Sequence, residues 1–380
     1  MSSSKKSPQI RFPEFKEPWA EERLDFFFSS SRAKGRDGLP TLSVTLDRGL
    51  IDRAELDRKM ETNLGPDEHL LVREKDIAYN MMRMWQGAFG RSDREGIVSP
   101  AYVVIRPKSS ADSAYFAYAF RRNRSIYLFW AYSYGITNDR LRLYADDFLR
   151  IPFRAPKVPE QQKIAAFLTA VDGRIEQLGR KKALLEATKK GVMQQLFTQT
   201  LRFQDGHGHD FPDWEEKTLK TICSTFKSGN GITADEIQDS GTYPVYGGNG
   251  LRGYTDRFTH EGEFVLIGRQ GALCGNINRT SGKSYISEHA IAVAGNHLAS
   301  TDWLEHRLNH MKLNRLSESS AQPGLAVNKL EKLKLLVPSL PEQTKIAGFL
   351  SALDGKIAAV GEQMRQTQAW KKGLLQQMFV

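Results

Sequence analysis

One long segment occurs twice in this chain, and the repeat constrains the fold more than any other feature. Residues 159–197 align without gaps with residues 341–379, and 20 of the 39 aligned positions are identical. The first copy opens with PEQQKIAAFL and ends with KKGVMQQLF, whereas the second opens with PEQTKIAGFL and ends with KKGLLQQMF. Because two unrelated helices would not share their register so closely, we interpret the segments as two copies of one structural element.

Both copies have the apolar spacing of a coiled-coil helix. Alternating steps of four and three residues from Ile164 and from Ile346 reach apolar side chains at eight of ten positions in each copy. An apolar seam of more than four heptads is typical of a coiled coil. The first helix would lead from one globular segment to the next and the second would begin at that next segment. The pair is therefore predicted to be antiparallel and to act as a spacer.

Three interior glycines recur at matching places in the two copies. They are Gly173, Gly179 and Gly191 in the first copy and Gly355, Gly361 and Gly373 in the second. Each glycine inside a helix costs about 1 kcal/mol relative to alanine. Their retention predicts either close approach within the helix pair or a docking surface for a partner, and the sequence leaves both open.

A fainter repeat surrounds the two globular segments. The stretch IRFPEFKEPWAEERL (10–24) resembles LRFQDGHGHDFPDWEEKTL (201–219), and alternating apolar residues before each long helix predict a closing β-strand. The interiors differ, and the second has short strands broken by Gly/Asn turns. We predict an α+β fold with a pseudo-twofold internal repeat. It has globular domains at 1–158 and 201–340, separated by antiparallel coiled-coil helices at 159–200 and 341–380.

Composition limits the class of protein. Hydrophobic and charged contents of 40% and 26% are those of a globular protein, and no apolar run is long enough to span a membrane. The start lacks the apolar stretch of a secretory signal, so we expect a cytoplasmic protein without membrane partners. The net charge of +10 suits a polyanionic partner. However, residues 201–340 carry 15 basic and 16 acidic side chains, so a contact with DNA there requires a local basic patch.

The chain resembles the specificity subunits of type I restriction–modification enzymes. The resemblance covers nearly the whole chain and is carried by the paired PEQ openings and KKG endings, the Trp-Glu lead-ins, and loops such as GRQGALCGNI and RMWQGAFG. It implies two target-recognition domains that each read one part of a split double-stranded DNA site. It also implies that the helices bind two methyltransferase subunits and that a restriction/translocase subunit joins for cleavage.

The chemistry-bearing motifs indicate that the chain itself is not catalytic. The chain has no methyltransferase-type Asn-Pro or Asp-Pro-Pro motif and no phosphate-binding loop. PDWEEK (212–217) resembles a nuclease motif but is interpreted as a structural lead-in with Trp19 and Trp214 as anchors. HGHD (207–210) is interpreted as an exposed turn, and Cys223 and Cys274 as buried thiols. We expect no metal or cofactor on this chain, with S-adenosylmethionine bound by the methyltransferase partner.

DNA reading should come from basic, amide and aromatic side chains on loops. In the first domain the candidates after the apparent strand DIAYN are Arg83, Trp85 and Gln86. Nearby basic residues that can contact phosphates are Lys34, Arg36, Arg48 and Arg53. In the second domain the candidates in Gly-rich loops are Asn249, Arg252, Tyr254, Arg257, Arg269 and Gln270. For each residue the alternative is a surface salt bridge or a turn-stabilising amide.

The sequence therefore predicts a non-catalytic subunit that reads a bipartite, asymmetric DNA site. Asymmetry is expected because the repeated frame carries different loops. Two alternatives remain open, a coiled-coil adaptor that does not read DNA and a stand-alone DNA-modifying enzyme.

Overall fold

The computed structural model describes residues 7–56, 64–137, 140–271, 273–317 and 324–380. The chain divides into two compact units. Unit 1 comprises Met1–Leu178 with Gln363–Val380, and unit 2 comprises Gly179–Glu362. Each unit thus contains the beginning of one predicted long helix and the end of the other.

Unit 1 is an α+β unit. Its strands are β1 (Ala20–Arg23), β2 (Phe28–Ser31), β3 (Leu42–Thr45), β4 (Gly49–Asp52), β5 (Leu70–Val72), β6 (Ile77–Asn80), β7 (Phe89–Arg91), β8 (Gly96–Val98), β9 (Tyr102–Pro107) and β10 (Pro152–Ala155). Its short helices are α1 (Leu24–Phe27), α2 (Ser113–Ala119), α3 (Asn123–Ala131) and α4 (Ala145–Arg150). The long helix α5 (Val158–Phe197) begins in this unit.

Unit 2 is built in the same way. Its strands are β11 (Glu215–Thr218), β12 (Cys223–Ser228), β13 (Tyr243–Gly247), β14 (Gly250–Thr255), β15 (His260–Glu261), β16 (Phe264–Gly268), β17 (Ile277–Thr280), β18 (Lys283–Ile286), β19 (Ala290–Gly295) and β20 (Lys334–Val337). Its short helices are α6 (Leu219–Ile222), α7 (Thr301–Met311) and α8 (Val327–Leu330). The second long helix, α9 (Leu340–Gln377), begins here.

The two units share a frame of strands. An antiparallel four-stranded sheet has the order β2-β9-β6-β7 in unit 1 and β12-β19-β16-β17 in unit 2. The strand before each long helix, β10 or β20, pairs antiparallel with the lead-in strand β1 or β11. The predicted closing strands are therefore confirmed. The remaining strands differ, since unit 1 has the pairs β3-β4 and β5-β8, whereas unit 2 has a second four-stranded sheet, β14-β13-β18-β15.

The apolar seam of the long helices is confirmed by burial, because each of its twenty positions is buried or half-buried. In unit 1 the hydrophobic core contains Ile164 from the beginning of α5 and Met378, which directly follows α9. In unit 2 the core contains Leu196 from the end of α5 and Ile346 from the beginning of α9. In both units the beginning of one helix thus packs with the end of the other, as an antiparallel pair requires.

Close packing of the helices does not account for five of the six recurring glycines, Gly173, Gly191, Gly355, Gly361 and Gly373. A Cβ atom added at Gly173, Gly191, Gly355 or Gly373 would meet no described atom within 4 Å. At Gly361 it would meet only the end of the Lys182 side chain, at 3.9 Å. Close approach therefore does not explain these glycines, and the docking surface stays a prediction.

The repeated sequence of the helix openings has a structural explanation in Gln161 and Gln343. Gln161 is fully buried, accepts a hydrogen bond from the Asp112 backbone N–H (2.7 Å), and donates to the carbonyls of Ser110 (3.1 Å) and Pro156 (2.8 Å). Gln343 binds the corresponding groups of unit 2, the N–H of Ser300 (2.8 Å) and the carbonyls of Leu298 and Pro338. Each amide therefore ties its long helix to the loop before α2 or α7.

The preceding glutamates form a second duplicated contact. The Glu160 carboxylate is held by both ends of the Arg11 guanidinium at 2.7 Å and by Trp19 Nε1 at 3.3 Å. Glu342 is held in the same way by Arg202 (3.2 and 2.9 Å) and by Trp214 Nε1 (3.0 Å). The hydrogen bonds to these carboxylates raise the pKa of both Arg11 and Arg202. The Arg-Phe and tryptophan lead-ins thus anchor the long helices.

Candidate nucleic-acid interface

The first predicted group, Arg83, Trp85 and Gln86, lies in the turn that joins β6 to β7. Met84 is fully buried and anchors this turn, and Gly87 ends it with φ of 91°, a conformation that glycine adopts without strain. Trp85 Nε1 donates to the Met82 carbonyl at 3.0 Å, which fixes the indole. Arg83 and Gln86 are left exposed.

These residues line a concave surface of about 820 Å³, which we call the arginine concavity. It is also lined by Met82, Tyr134, Gly135, Ile136, Arg140, Arg142 and Tyr144. Tyr134 and Arg142 exchange two backbone hydrogen bonds, so the strand-like pair they form brings Arg140 and Arg142 to the surface that carries Arg83. The hydrogen bond of Tyr134 with Asp147 raises the pKa of that phenol.

The arginine concavity carries three guanidinium groups without a carboxylate partner among the described residues. Within the described ranges, none of Arg83, Arg140 and Arg142 forms an ion pair with a carboxylate. Three unpaired guanidinium groups in a concave surface attract anions, because low-dielectric walls focus the field. The neighbouring rings of Trp85 and Tyr134 are of the type on which nucleobases stack.

The four residues predicted to contact phosphates lie elsewhere in unit 1, and none of them lines the arginine concavity. Arg36 pairs with Glu95 at 2.5 Å, and Arg48 pairs with Glu55 at 3.6 Å. Arg53 Nε donates to Ser43 Oγ at 3.4 Å, and Lys34 is exposed. Arg36 and Arg48 thus form surface salt bridges, which the sequence analysis gave as the alternative to a contact with DNA.

In unit 2 the structure brings together Asn249, Arg269 and Gln270. The hairpin between β13 and β14 lies against the end of β16, since a Cβ atom on Gly248 would approach the His289 carbonyl to 2.8 Å and the Arg269 backbone nitrogen to 3.6 Å. Asn249 Oδ1 accepts from Asn276 Nδ2 at 3.4 Å, and Gln270 Oε1 is 3.1 Å from His289 Nδ1. Arg269 donates to Ser228 Oγ at 3.1 Å. We call Asn249, Arg269, Gln270, Asn276 and His289 the amide cluster.

The other three unit 2 candidates are less closely grouped. The Arg252 side chain lies over Gly247, next to the turn of the same hairpin, and is exposed. Tyr254 exchanges two backbone hydrogen bonds with Gln238. Arg257 forms an ion pair with Glu236 and lies 5.4 Å from the centre of the Tyr285 ring.

Sequence reasoning missed several members of both groups. In unit 1 it missed Tyr134, Arg140, Arg142 and Tyr144. The alternation of basic residues in DRLRLY (139–144) is a signal that could have indicated the two arginines. In unit 2 it missed Asn276 and His289, for which the sequence contains no local signal. Pairing of β16 with β19 brings His289 to Gln270, and the approach of the β13–β14 hairpin to the end of β16 brings Asn249 to Asn276.

The motifs that resemble metal or nuclease sites have structural roles. Within the described residues no group of three or more His, Cys, Asp or Glu side chains could hold a metal ion. Asp205 accepts the backbone N–H groups of His207 and His209, and these bonds lower its pKa. Glu215 and Glu216 form ion pairs with lysines.

Burial raises the pKa of the Cys223 thiol to about 12. No described helix has the length and apolar character needed to cross a membrane.

Residues 212–366, which include the lead-in Trp214, the amide cluster and Gln343, match the family model of the type I restriction modification DNA specificity domain. This region is therefore similar to the DNA specificity domain of type I restriction–modification systems. The Gln343 contact lies inside the matched region, whereas the Glu342 contact reaches Arg202, which precedes that region. Unit 1 repeats both contacts on its own residues.

Curated members of the family align with different shares of the chain. The type I restriction enzyme EcoprrI specificity subunit of Escherichia coli is 43% identical over 171 residues, which are 44% of this chain and 41% of that protein. The MjaVIII specificity subunit of Methanocaldococcus jannaschii is 23% identical over 346 residues, covering 81% and 79% of the two chains. The chain thus spans about two fifths of the length of the more identical relative.

A solved specificity-subunit structure has the same fold. The S subunit of a type I restriction-modification system from M. genitalium superposes with a TM-score of 0.66 over 98% of this chain and 99% of that chain, at 18% identity. A chain solved in a study of type I complex assembly superposes with a TM-score of 0.54 over 95% of this chain, also at 18% identity. The chain therefore shares its fold with these solved chains.

Proposed function

We propose that this chain is the DNA-reading subunit of a type I restriction–modification complex. Unit 1 would read one part of a bipartite site and unit 2 the other. One observation carries the proposal: duplicated contacts at Gln161 and Gln343 hold two equivalent frames, and these frames present different loops. Equal frames with unequal loops suit two different half-sites, so we expect an asymmetric target.

In unit 1 we assign DNA contact to the arginine concavity. Three guanidinium groups that have no carboxylate partner in the described part of the chain can neutralise phosphates, and the counterions released on binding make such contacts strongly salt-dependent. In unit 2 we assign base reading to the amide cluster, since exposed Asn and Gln side chains match the hydrogen-bonding edges of bases in the major groove. Arg252 lies beside that cluster and supplies the local positive charge that the balanced composition of 201–340 requires.

We further propose that the chain is not catalytic and that two methyltransferase subunits dock on the long helices. The four glycines with open space around their α-carbons support this docking, because a partner can approach a glycine backbone closely. S-adenosylmethionine would then be bound by the methyltransferase subunits. A restriction/translocase subunit would join the complex for cleavage.

The experiment is a selection from a random duplex library by the full chain, alone and with its methyltransferase subunits, with methylation of the library read in parallel. We expect one bipartite, asymmetric motif, methylated only when the methyltransferase is present. Methylation by this chain alone with S-adenosylmethionine would identify it as a stand-alone enzyme. A library recovered without sequence preference would identify it as an adaptor.

A second experiment separates phosphate binding from base reading. Replacing Arg83, Arg140 and Arg142 with alanine should reduce the slope of log affinity against log salt by up to about 2.7, because each phosphate that is no longer neutralised accounts for about 0.9. The selected motif should not change. The matched control is Arg36→Ala, because Arg36 is exposed but paired with Glu95, and it should leave the slope unchanged. An unchanged slope in the triple variant would refute the assignment of the arginine concavity.

A further inference from the structure

Among the described residues of unit 2, Gln270 is an exposed amide whose carbonyl contacts an ionisable ring. Its Oε1 lies 3.1 Å from Nδ1 of His289, and the other ring nitrogen, Nε2, lies 3.3 Å from Glu288 Oε1. Because a carbonyl oxygen only accepts, the contact with Gln270 is a hydrogen bond donated by Nδ1–H. Only the imidazolium can donate through Nδ1–H to Gln270 and through Nε2–H to Glu288 at the same time, because the neutral ring has a single N–H.

The backbone around this contact is fixed on several sides. The Arg269 N–H donates to the His289 carbonyl, and the Glu288 N–H donates to the Asn230 carbonyl. The Leu325 N–H donates to the Arg269 carbonyl. Residues 269 and 289 are therefore tied to each other and to neighbouring segments. These bonds restrict the backbone from which the side chains of Gln270 and His289 extend.

Glu288 completes the arrangement. Its second carboxylate oxygen, Oε2, is buried and has no hydrogen-bond partner within the described residues. The polar contact of this side chain is therefore the one with His289, which orients the ring from the side opposite Gln270. Glu288 therefore orients His289, and His289 in turn orients the exposed amide of Gln270.

The groups of Gln270 that remain available match adenine. A carbonyl oxygen has two lone pairs, so the bond from His289 leaves one lone pair, and both Nε2 hydrogens have no partner among the described residues. In the major groove adenine offers the N6 amino group as a donor and N7 as an acceptor, and a glutamine amide pairs with both. With the amide rotamer held by His289, the donor and acceptor cannot exchange places without breaking the bond to Nδ1.

We infer that Gln270 reads one adenine in the half-site of unit 2, and that His289, oriented by Glu288, is the positioning residue that sets the direction of its amide. This inference rests on the proposed function and adds the base that is read and the residue that decides it. His289 itself does not touch the base.

The first test is library selection with Gln270→Ala and with a matched control, Gln238→Ala, which removes another glutamine of unit 2. Gln270→Ala should reduce the preference for adenine at one position of one half-site by about tenfold to a hundredfold, and the other half-site should stay the same. Gln238→Ala should keep the motif. An unchanged motif in Gln270→Ala, or a loss of preference at a G·C pair, would overturn the inference.

The second test probes the proposed bond directly. Replacing the selected adenine with 7-deazaadenine removes the N7 acceptor, so the wild-type chain should bind more weakly, whereas Gln270→Ala should bind the modified and unmodified sites equally. An equal weakening in both proteins would show that Gln270 does not contact N7.

The third test concerns positioning. His289→Leu removes the donor and should relax the preference at the same adenine, while His289→Asn, whose Nδ2 can take the place of Nδ1, should restore most of it. A folding defect would weaken binding to all sequences equally and leave the ratio of affinities unchanged. If His289→Leu keeps the wild-type ratio, or if His289→Asn relaxes the preference as much as His289→Leu, the positioning role is wrong. If the wild-type chain selects no motif, the proposed function itself fails, and this result is distinct from all the others.

Discussion

Replacing Gln161 with alanine should destabilise unit 1 strongly and locally. The substitution removes three hydrogen bonds of 2.7, 3.1 and 2.8 Å from a fully buried side chain. Each bond contributes about 1 kcal/mol net, and an orphaned buried backbone group costs at least as much. We therefore expect the free energy of unfolding of unit 1 to fall by about 3 kcal/mol.

The suitable assay is hydrogen exchange followed by mass spectrometry, because it reports opening free energies segment by segment. Peptides that cover α2 and β10 should exchange faster in Gln161→Ala, and peptides of the corresponding part of unit 2, around α7 and β20, should not change. Gln162→Ala is the matched control, since Gln162 is exposed and is the next residue of the same helix. Its effect should stay within about 0.5 kcal/mol.

A second variant tests which part of the amide matters. Gln161→Glu keeps an acceptor for the Asp112 N–H but removes both donors and places a carboxylate against the carbonyls of Ser110 and Pro156. It should therefore destabilise unit 1 at least as much as alanine does. The reasoning is refuted if peptides of α2 and β10 exchange hydrogen at the same rate in Gln161→Ala and in Gln162→Ala. It is also refuted if Gln161→Ala speeds exchange equally in the peptides around Gln343.

The remaining predictions concern unit 2 and the long helices. Arg202→Met leaves the buried Glu342 carboxylate without its guanidinium and should lower the free energy of unfolding, measured by urea denaturation, by about 3–5 kcal/mol. Arg202→Lys should recover only part of this loss, because a lysine ammonium cannot bind both carboxylate oxygens. Burial, followed by the charge of Lys189, lowers the pKa of His306, so the unfolded chain protonates first and unit 2 should lose stability as the pH falls below about 6.5. His306→Tyr introduces the residue type found at the equivalent position of unit 1, Tyr118, and should flatten the dependence of stability on pH. An unchanged slope of unfolding free energy against pH would contradict the assignment to His306. Inserting four residues before Gln194 lengthens α5 by about 6 Å, so the unread gap of the target should grow by about two base pairs of 3.4 Å while both half-sites persist. A variant that binds with its original gap would show that the helices are not the spacer.

Much of the fold could be predicted because its signals are local or repeated. The heptad seam from Ile164 and from Ile346 reports burial directly, since helical periodicity places those side chains on one face. The alternating apolar residues around Phe153 and Leu335 identify the closing strands, because strand periodicity places alternate side chains on one face of a sheet. The likeness of the two halves of the sequence then indicates a duplicated frame.

The candidate site was only partly predictable, because it depends on contacts between distant parts of the chain. Arg83, Trp85 and Gln86 were identified because they share one turn, but Arg140 and Arg142 reach the same surface through backbone pairing of Tyr134 with Arg142. His289 meets Gln270 because β19 and β16 are neighbours in a sheet, and strand order cannot be read from residue types.

The PEQ openings show the same division. The sequence by itself determined that the motif begins each long helix, since proline is suited to the first turn of a helix. Only the tertiary structure decided what the other two residues do. Glu160 bonds Arg11 across 149 positions, and Gln161 bonds the backbone of Asp112 across 49. These contacts arise from how strands and loops pack around the helix, and no periodicity in the sequence encodes that packing.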